Sequence, residues 1–294
     1  MITTESVDSL QSFFTSVSAH AKEWRKYWIG KRKKDDEAAT SWLPWFRGEE
    51  NAAWVPDTSL QPKLYRDTTV GIKTVLEHEQ DMRVEFRRRG AQLFTEQRQP
   101  VDKWEWYFLM RHYNAPTRLL DWSDGALVAL HFAIFPRGAK KDKHGQADAS
   151  VYMLDPWWLN DEAFKEVMPI AEDHRSIGPA LPDWQEAQPY LPDEFDNEEL
   201  GLVCPLAIDP SHFSRRIAAQ RSRFTIFGRE MDGLKVVANR FAETRLVKFD
   251  IKGIAIPDIK HDLRLAGISE ETIFPDLEGL GRELSSWFAD NCCS

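Results

Sequence analysis

Apolar positions recur at helical spacing over residues 7–28, where Leu10, Phe13, Phe14, Val17, Ala21, Trp24 and Trp28 share one face and Ser6 stands as the expected N-cap. A second helix is expected from Thr74 to Gln99, with Leu76, Met82, Phe86, Leu93 and Phe94 turned inward. Its other side carries Arg83, Arg87, Arg88, Arg89 and Arg98 among Glu77, Glu79, Asp81, Glu85 and Glu96. That face reads either as a salt-bridged solvent surface or as a patch for nucleic-acid phosphates. Residues 102–113 form a further helix rich in Trp104, Trp106, Tyr107 and Phe108, and residues 126–134 a buried one. Helices are also expected over 157–168 and 211–219, and Pro257 and Pro275 open two more near the C-terminus at first-turn positions. The last of these carries Leu277, Leu280, Leu284 and Phe288 on one face.

Shorter runs rich in β-branched and aromatic residues predict strands at Trp42–Gly48, Ser150–Asp155, Leu202–Ile208, Phe224–Phe227 and Arg245–Ile251. Residues 49–66 and 138–149 read as surface loops. From Ser176 to Ser214 there is no Lys or Arg, while Asp, Glu and Pro are frequent, so this span reads as a surface insertion or a lid. Strands from distant parts of the chain among helices, with no βαβ rhythm and no repeat, place the fold in the α+β class: a mixed, short-stranded sheet surrounded by helices. The expected division is an N-terminal helix and charged connector over 1–40, one main domain over 41–289 with the acidic insertion at about 170–205, and a tail over 290–294.

Composition narrows the function classes. Hydrophobic residues make up 42% of the 294-residue chain, enough for a sizeable core. The net charge of −9 argues against a protein whose main task is to coat nucleic acid. The run Lys31–Glu37 has basic and acidic halves that nearly cancel and reads as a solvated connector. No apolar run has membrane-spanning length and the N-terminus lacks a signal-peptide pattern, so no membrane partner is expected. Cys204, Cys292 and Cys293 form no disulfide framework or zinc pattern, which fits a reducing cytoplasmic setting.

The densest chemistry lies in the stretch Arg111–Phe135, whose first half holds His112, Tyr113, Asn114, Pro116, Thr117, Arg118, Asp121 and Trp122. Arg118 and Asp121 flank Leu119 and Leu120, so at least one charge is drawn inward and must be paired there. A structural ion pair and a functional cluster are both consistent with this spacing. His112 and Asp121 without a third ligand make a poor metal site, and no phosphate loop, GxGxxG, GxSxG, HExxH or paired CxxC is present. A nuclease built on His112 and Asp121 would need a metal. Arg47, between Phe46 and Gly48, would present a fork of donors from a strand end, and Gly48 permits a turn or the close approach of a ligand. Gln220 stands at a helix end before a strand, where its side chain can point into a cleft.

These residues carry a resemblance. The chain resembles the FRG domain family, whose Phe-Arg-Gly stands here as Phe46, Arg47 and Gly48. The family's His-Tyr-Gly-x-Pro-Thr-Arg-Leu-Leu-Asp-Trp signature appears as His112 to Trp122, with Asn114 in place of Gly. Asn is the next residue best able to hold a left-handed backbone. The family's Ala-Leu-x-Phe-Ala helix is Ala129 to Ala133, its later segment is Arg216, Ile217, Gln220, Ser222, Phe224 and Thr225, and its Phe-Pro-Asp-Leu-x-Gly is Phe274 to Gly279.

A weaker second resemblance is to the ADP-ribosyltransferase superfamily: an aromatic-Arg-Gly at a strand end, then a strand bearing Thr or Ser, then a helix ending Phe-Ala. It implies an ADP-ribosyltransferase-like arrangement and NAD as co-substrate. Carried over by position, Arg47 and Gly48 would bind NAD, Thr117 would line its pocket, and His112 and Arg118 would contact ribose or phosphate with Asp121 orienting Arg118. Where that superfamily opens a late strand with Glu, this chain has Gln220-Arg221-Ser222-Arg223, so the carboxylate would come from elsewhere, such as Asp121, Glu230 or Glu278. The catalytic candidates are thus Arg47, His112, Asp121 and Gln220. The function expected is a bacterial toxin or effector, of the kind used in phage defence, that modifies a nucleic-acid or protein target and is met by an antitoxin or other protein partner. The alternative is a non-catalytic module that recognises a phosphate-bearing ligand or partner.

Overall fold

A computed structural model describes residues 2–31, 42–52, 59–66, 68–93, 100–135, 147–167, 179, 187–192, 204–210, 215–240 and 243–292. The protein is α+β. Its strands are β1 (Thr3–Val7), β2 (Trp45–Glu49), β3 (Leu119–Ser123), β4 (Ala149–Leu154), β5 (Leu206–Ile208), β6 (Ser222–Ile226) and β7 (Leu246–Ile251). They form one seven-stranded sheet in the order β1-β7-β4-β2-β3-β6-β5. β1 runs parallel to β7, and every other neighbouring pair is antiparallel. β4 is buried along its whole length, as its uninterrupted apolar run requires of an inner strand.

The helices are α1 (Leu10–Lys31), α2 (Lys63–Arg66), α3 (Ile72–Gly90), α4 (Lys103–His112), α5 (Ala126–Ile134), α6 (Pro156–Val167), α7 (Arg215–Ala219), α8 (Gly233–Arg240), α9 (Ile256–Leu265), α10 (Glu270–Ile273) and α11 (Leu277–Cys292). α1 buries Phe13, Val17, Trp24 and Trp28. It begins three residues later than its sequence pattern suggests, because Ser9 rather than Ser6 caps it: the Ser12 amide donates to Ser9 Oγ at 3.1 Å. The residues before that cap form β1, which periodicity did not reveal because only five residues are involved and only Val7 is buried.

Buried Asp155, at the end of β4, ties α1 to the sheet. Its carboxylate accepts from Trp28 Nε1 at 2.6 Å and Trp42 Nε1 at 3.0 Å, and Arg245 Nη1 lies 3.1 Å away. A carboxylate removed from water needs several donors of this kind.

Several expectations shift. α3 covers the first part of the expected helix and ends at Gly90; Phe94, Glu96 and Arg98 lie outside the described residues. Arg83 is buried rather than on the solvent face, and Leu93 is 75% exposed rather than inward. Part of the acidic span is core: Ala187, Tyr190 and Leu191 are buried, and β5 extends the sheet beside β6. Most of the rest of that span, like residues 138–146 of the expected loop, lies outside the described residues. α8 has no counterpart in the sequence reading. Pro257 sits in the first turn of α9, but Pro275 precedes α11, where Asp276 accepts from the Gly279 amide at 2.8 Å. Leu277, Leu284, Trp287 and Phe288 on α11 are each more than half exposed. Among the described residues, no helix is long and apolar enough to cross a membrane.

Candidate functional site

The sheet opens at its middle. β2 is bonded along five residue pairs to β4, and β3 along five to β6, but β2 and β3 share only the pair Phe46–Ser123. Beyond that pair the two strands part, and a cleft of about 420 Å3 lies there, lined by Arg47, Gly48, Glu49, Arg111, His112, Asp121, Trp122, His131, Gln220, Phe274 and Glu270 among others. Arg47 spans the opening. Its Nη1 donates to the main-chain carbonyl of Asp121 at 2.8 Å, its Nε donates to Ser59 O at 3.1 Å, and its Nη2 pairs with Glu49. A side-chain guanidinium thus substitutes for ladder bonds that the diverging backbones no longer make.

Gly48 is explained by packing. A Cβ at this position would lie 2.0 Å from Ala129 O and 2.6 Å from Ala133 N, so β2 can lie against α5 only without a side chain here. Small Ala129 and Ala133 on α5 complete the same close approach.

The polar end of the cleft is an arginine–carboxylate cluster. Arg111, on the last turn of α4, holds Asp121 on β3, with Nε 2.7 Å from Oδ2. Arg66 lies behind, 3.7 Å from Glu49. Burial pushes Asp121 upward, but Arg111 and Arg47 outweigh it and hold its carboxyl below the usual aspartate range. The same Asp121 charge raises Arg111, whereas burial and the like charge of Arg47 lower Arg66. Asp121 is therefore an ionised group on a partly open wall, its side chain 42% exposed.

The other end is aromatic. His131 stacks on Phe135 with centroids 4.5 Å apart, and Phe132 meets Phe274 edge-on at 5.8 Å. Glu270 lies 3.6 Å from His131 Nε2 and accepts from Arg282 Nε at 2.8 Å. Gln220 Nε2, in the same cleft, is buried and has no hydrogen-bond partner among the described residues.

Arg47, Gly48, His112, Asp121 and Gln220 thus meet in one cleft, although they come from positions 47 to 220 of the chain. Thr117 and Arg118 do not. Both are fully buried, and Arg118 belongs to an interior node. Its Nε donates to Glu79 Oε2 at 2.6 Å and its Nη1 to Phe227 O at 2.9 Å, while Tyr107 also donates to Glu79. The expectation that Asp121 orients Arg118 is overturned: three residues apart along extended backbone, the two side chains point to opposite sides, and Arg118 turns toward α3 while Asp121 turns toward α4.

Glu49, Arg111, His131 and Glu270 line the cleft without having been singled out from sequence. Glu49 and Arg111 adjoin the Phe-Arg-Gly and His-Tyr segments, so proximity in sequence was an available signal. Nothing local marks His131, which sits inside an apolar helix, or Glu270, which sits beside exposed Glu271. Neither Glu230 nor Glu278 lines the cleft.

A family model described as FRG domain matches residues 43–143. The match takes in β2, α3, α4, β3 and α5, and so most of the cleft, whereas Gln220 and Glu270 lie beyond it. No curated protein and no solved structure matches the chain.

Proposed function

We propose, taking the match of residues 43–143 to the FRG domain model as the starting point, that the protein is an ADP-ribosyltransferase-like enzyme that uses NAD to modify a nucleic-acid or protein target. One observation carries this reading: a single cleft combines an aromatic wall with a carboxylate, Asp121, that neighbouring arginines keep ionised. Breaking the bond between nicotinamide and ribose builds positive charge on the sugar, and fixed carboxylates in a partly water-excluded cleft lower the energy of that charge. Flat aromatic rings suit the cationic nicotinamide before it leaves. In this reading Asp121 faces the ribose, and Arg111 and Arg47 fix it in place. His112 and Gln220 supply further polar contacts to the ligand. A toxin or effector role in phage defence, restrained by an antitoxin, is the setting proposed for such an activity.

The test is incubation of the purified protein with labelled NAD and a cell extract. Label entering protein or nucleic acid, and lost in a folded Asp121→Asn variant, supports the transferase. A second reading, a non-catalytic module for a phosphate-bearing ligand, is favoured by the three arginines (Arg47, Arg66 and Arg111) gathered around only two carboxylates (Glu49 and Asp121). Ligand-dependent stabilisation of the fold with no nicotinamide released would select it.

A further inference from the structure

The cleft holds two kinds of carboxylate, and they differ in the way that matters for stabilising a cation. Each is paired with an arginine, Asp121 with Arg111 and Glu270 with Arg282, but Asp121 stands at an accessible wall. Glu270 is enclosed: its side chain is 9% exposed, it sits beside buried His131, and it lines the cleft together with Phe132, Phe135 and Phe274. Charges interact more strongly where water is excluded, by several-fold between a surface and an interior setting.

The surroundings fix Glu270 as an acceptor. Arg282 Nε, on α11, reaches its Oε2 at 2.8 Å, and Arg282 itself lies over the Phe274 ring at 4.2 Å. The Ser269 cap sets the backbone just before it, accepting from the Thr272 amide at 3.4 Å. Its other oxygen, Oε1, is turned toward His131. Gln220, where the carboxylate of the more weakly resembled superfamily would be expected, instead offers to the same cleft a buried amide donor with no partner among the described residues.

We propose that Glu270 is the carboxylate that faces the reacting bond, with Gln220 donating to an oxygen of the same ligand. This rests on the NAD-dependent reading above and assigns the residue that performs its chemical step. The bond between the ribose C1′ and the nicotinamide nitrogen breaks heterolytically. Both electrons leave with nicotinamide, which becomes neutral and needs no proton. Glu270 stabilises the positive charge left on C1′. A lone pair of the target's hydroxyl oxygen, or of water, forms the new bond to C1′, and the proton of that oxygen passes to Glu270.

The experiment measures nicotinamide release from NAD by the full-length wild type, Glu270→Gln, Gln220→Ala and, as a control, exposed Glu271→Gln, with thermal melting run on each. The expected result is a loss on the order of 100-fold or more for Glu270→Gln at an unchanged melting temperature. Gln220→Ala should weaken NAD binding, read as a higher KM with a smaller change in kcat, and Glu271→Gln should match the wild type. Where Glu270→Gln melts early, Glu270→Asp supplies the second measurement: it keeps the charge but shortens the reach, and wild-type turnover from it overturns the assignment. An active wild type with an equally active Glu270→Gln overturns the role of Glu270 alone. A wild type that releases no nicotinamide with any extract overturns the NAD reading and this assignment together.

Discussion

Arg118, inside the His112–Trp122 signature, and Arg111, the residue just before it, end in opposite environments. Arg118 is wholly enclosed, with Glu79, Tyr107 and the carbonyls of Phe227 and Tyr190 around it. Arg111 lies at the cleft, its guanidinium on a carboxylate that is partly open to water. One node fastens α3 and α4 to β3 from behind, and the other shapes the surface that a ligand would meet. Dense polarity in a sequence therefore does not mark a site by itself, since Thr117 and Arg118 here are interior scaffolding. What separates these two arginines is where they lie: Arg118 is enclosed away from the cleft with its donors matched, whereas Arg111 holds an ionised carboxylate on the cleft wall.

The sharpest way to break this contrast is Arg118→Met. It leaves Glu79 buried without its cation and two carbonyls without a donor, and should cost about 3–5 kcal/mol in urea unfolding. A loss under about 1 kcal/mol would show that the node does not hold the fold. Asp121→Asn should do the reverse. Its exposed position predicts a stability change within about 1 kcal/mol, while nicotinamide release should fall on the order of 100- to 1,000-fold. Equal activity in this variant would remove Asp121 from the site.

Gly48→Ala tests the seam between the two regions. The added methyl meets backbone atoms of α5, which cannot swing aside, so overpacking should cost about 1–3 kcal/mol or more by thermal or urea unfolding. Acid titration then separates the charges without changing the fold. The Asp121 carboxyl is held below its ordinary value in the folded state, so it contributes stability above the unfolded pKa of about 3.9, and that contribution fades as pH falls through the folded value. Wild type and Asp121→Asn should differ by a constant amount at neutral pH and converge in acid. The smallest effect is expected at Asn114, whose φ is 61°. Asn114→Gly should change stability by less than about 0.5 kcal/mol, whereas Asn114→Val should cost about 1–2 kcal/mol in the same left-handed position.

Much of the fold is legible from periodicity. The two buried helices α4 and α5, the strand β4 and the strand β7 fall within a residue or two of their expected positions because each has a long apolar pattern of one period. The misses share a cause. β1 and α8 are short or weakly patterned, and their formation depends on what they pack against: β1 exists because β7 offers an edge. Within the site, the Phe-Arg-Gly and His-Tyr-x-x-Pro-Thr-Arg-Leu-Leu-Asp-Trp segments point to the right strands, yet not to the right partner for each charge. Thr225 illustrates this, since its hydroxyl accepts from Trp122 Nε1 at 3.1 Å, a pairing across β3 and β6 that spacing cannot express.

The sequence by itself determined the α+β class, the aromatic-rich core and the left-handed turn at Asn114, because these follow from local periodicity and backbone preference. Only the tertiary structure decided that Arg118 goes to Glu79 and Asp121 to Arg111, that Gly48 serves helix packing, and that His131 and Glu270 share the cleft with Arg47. Those outcomes depend on which side chains from distant segments reach one another, and on how much water remains between them.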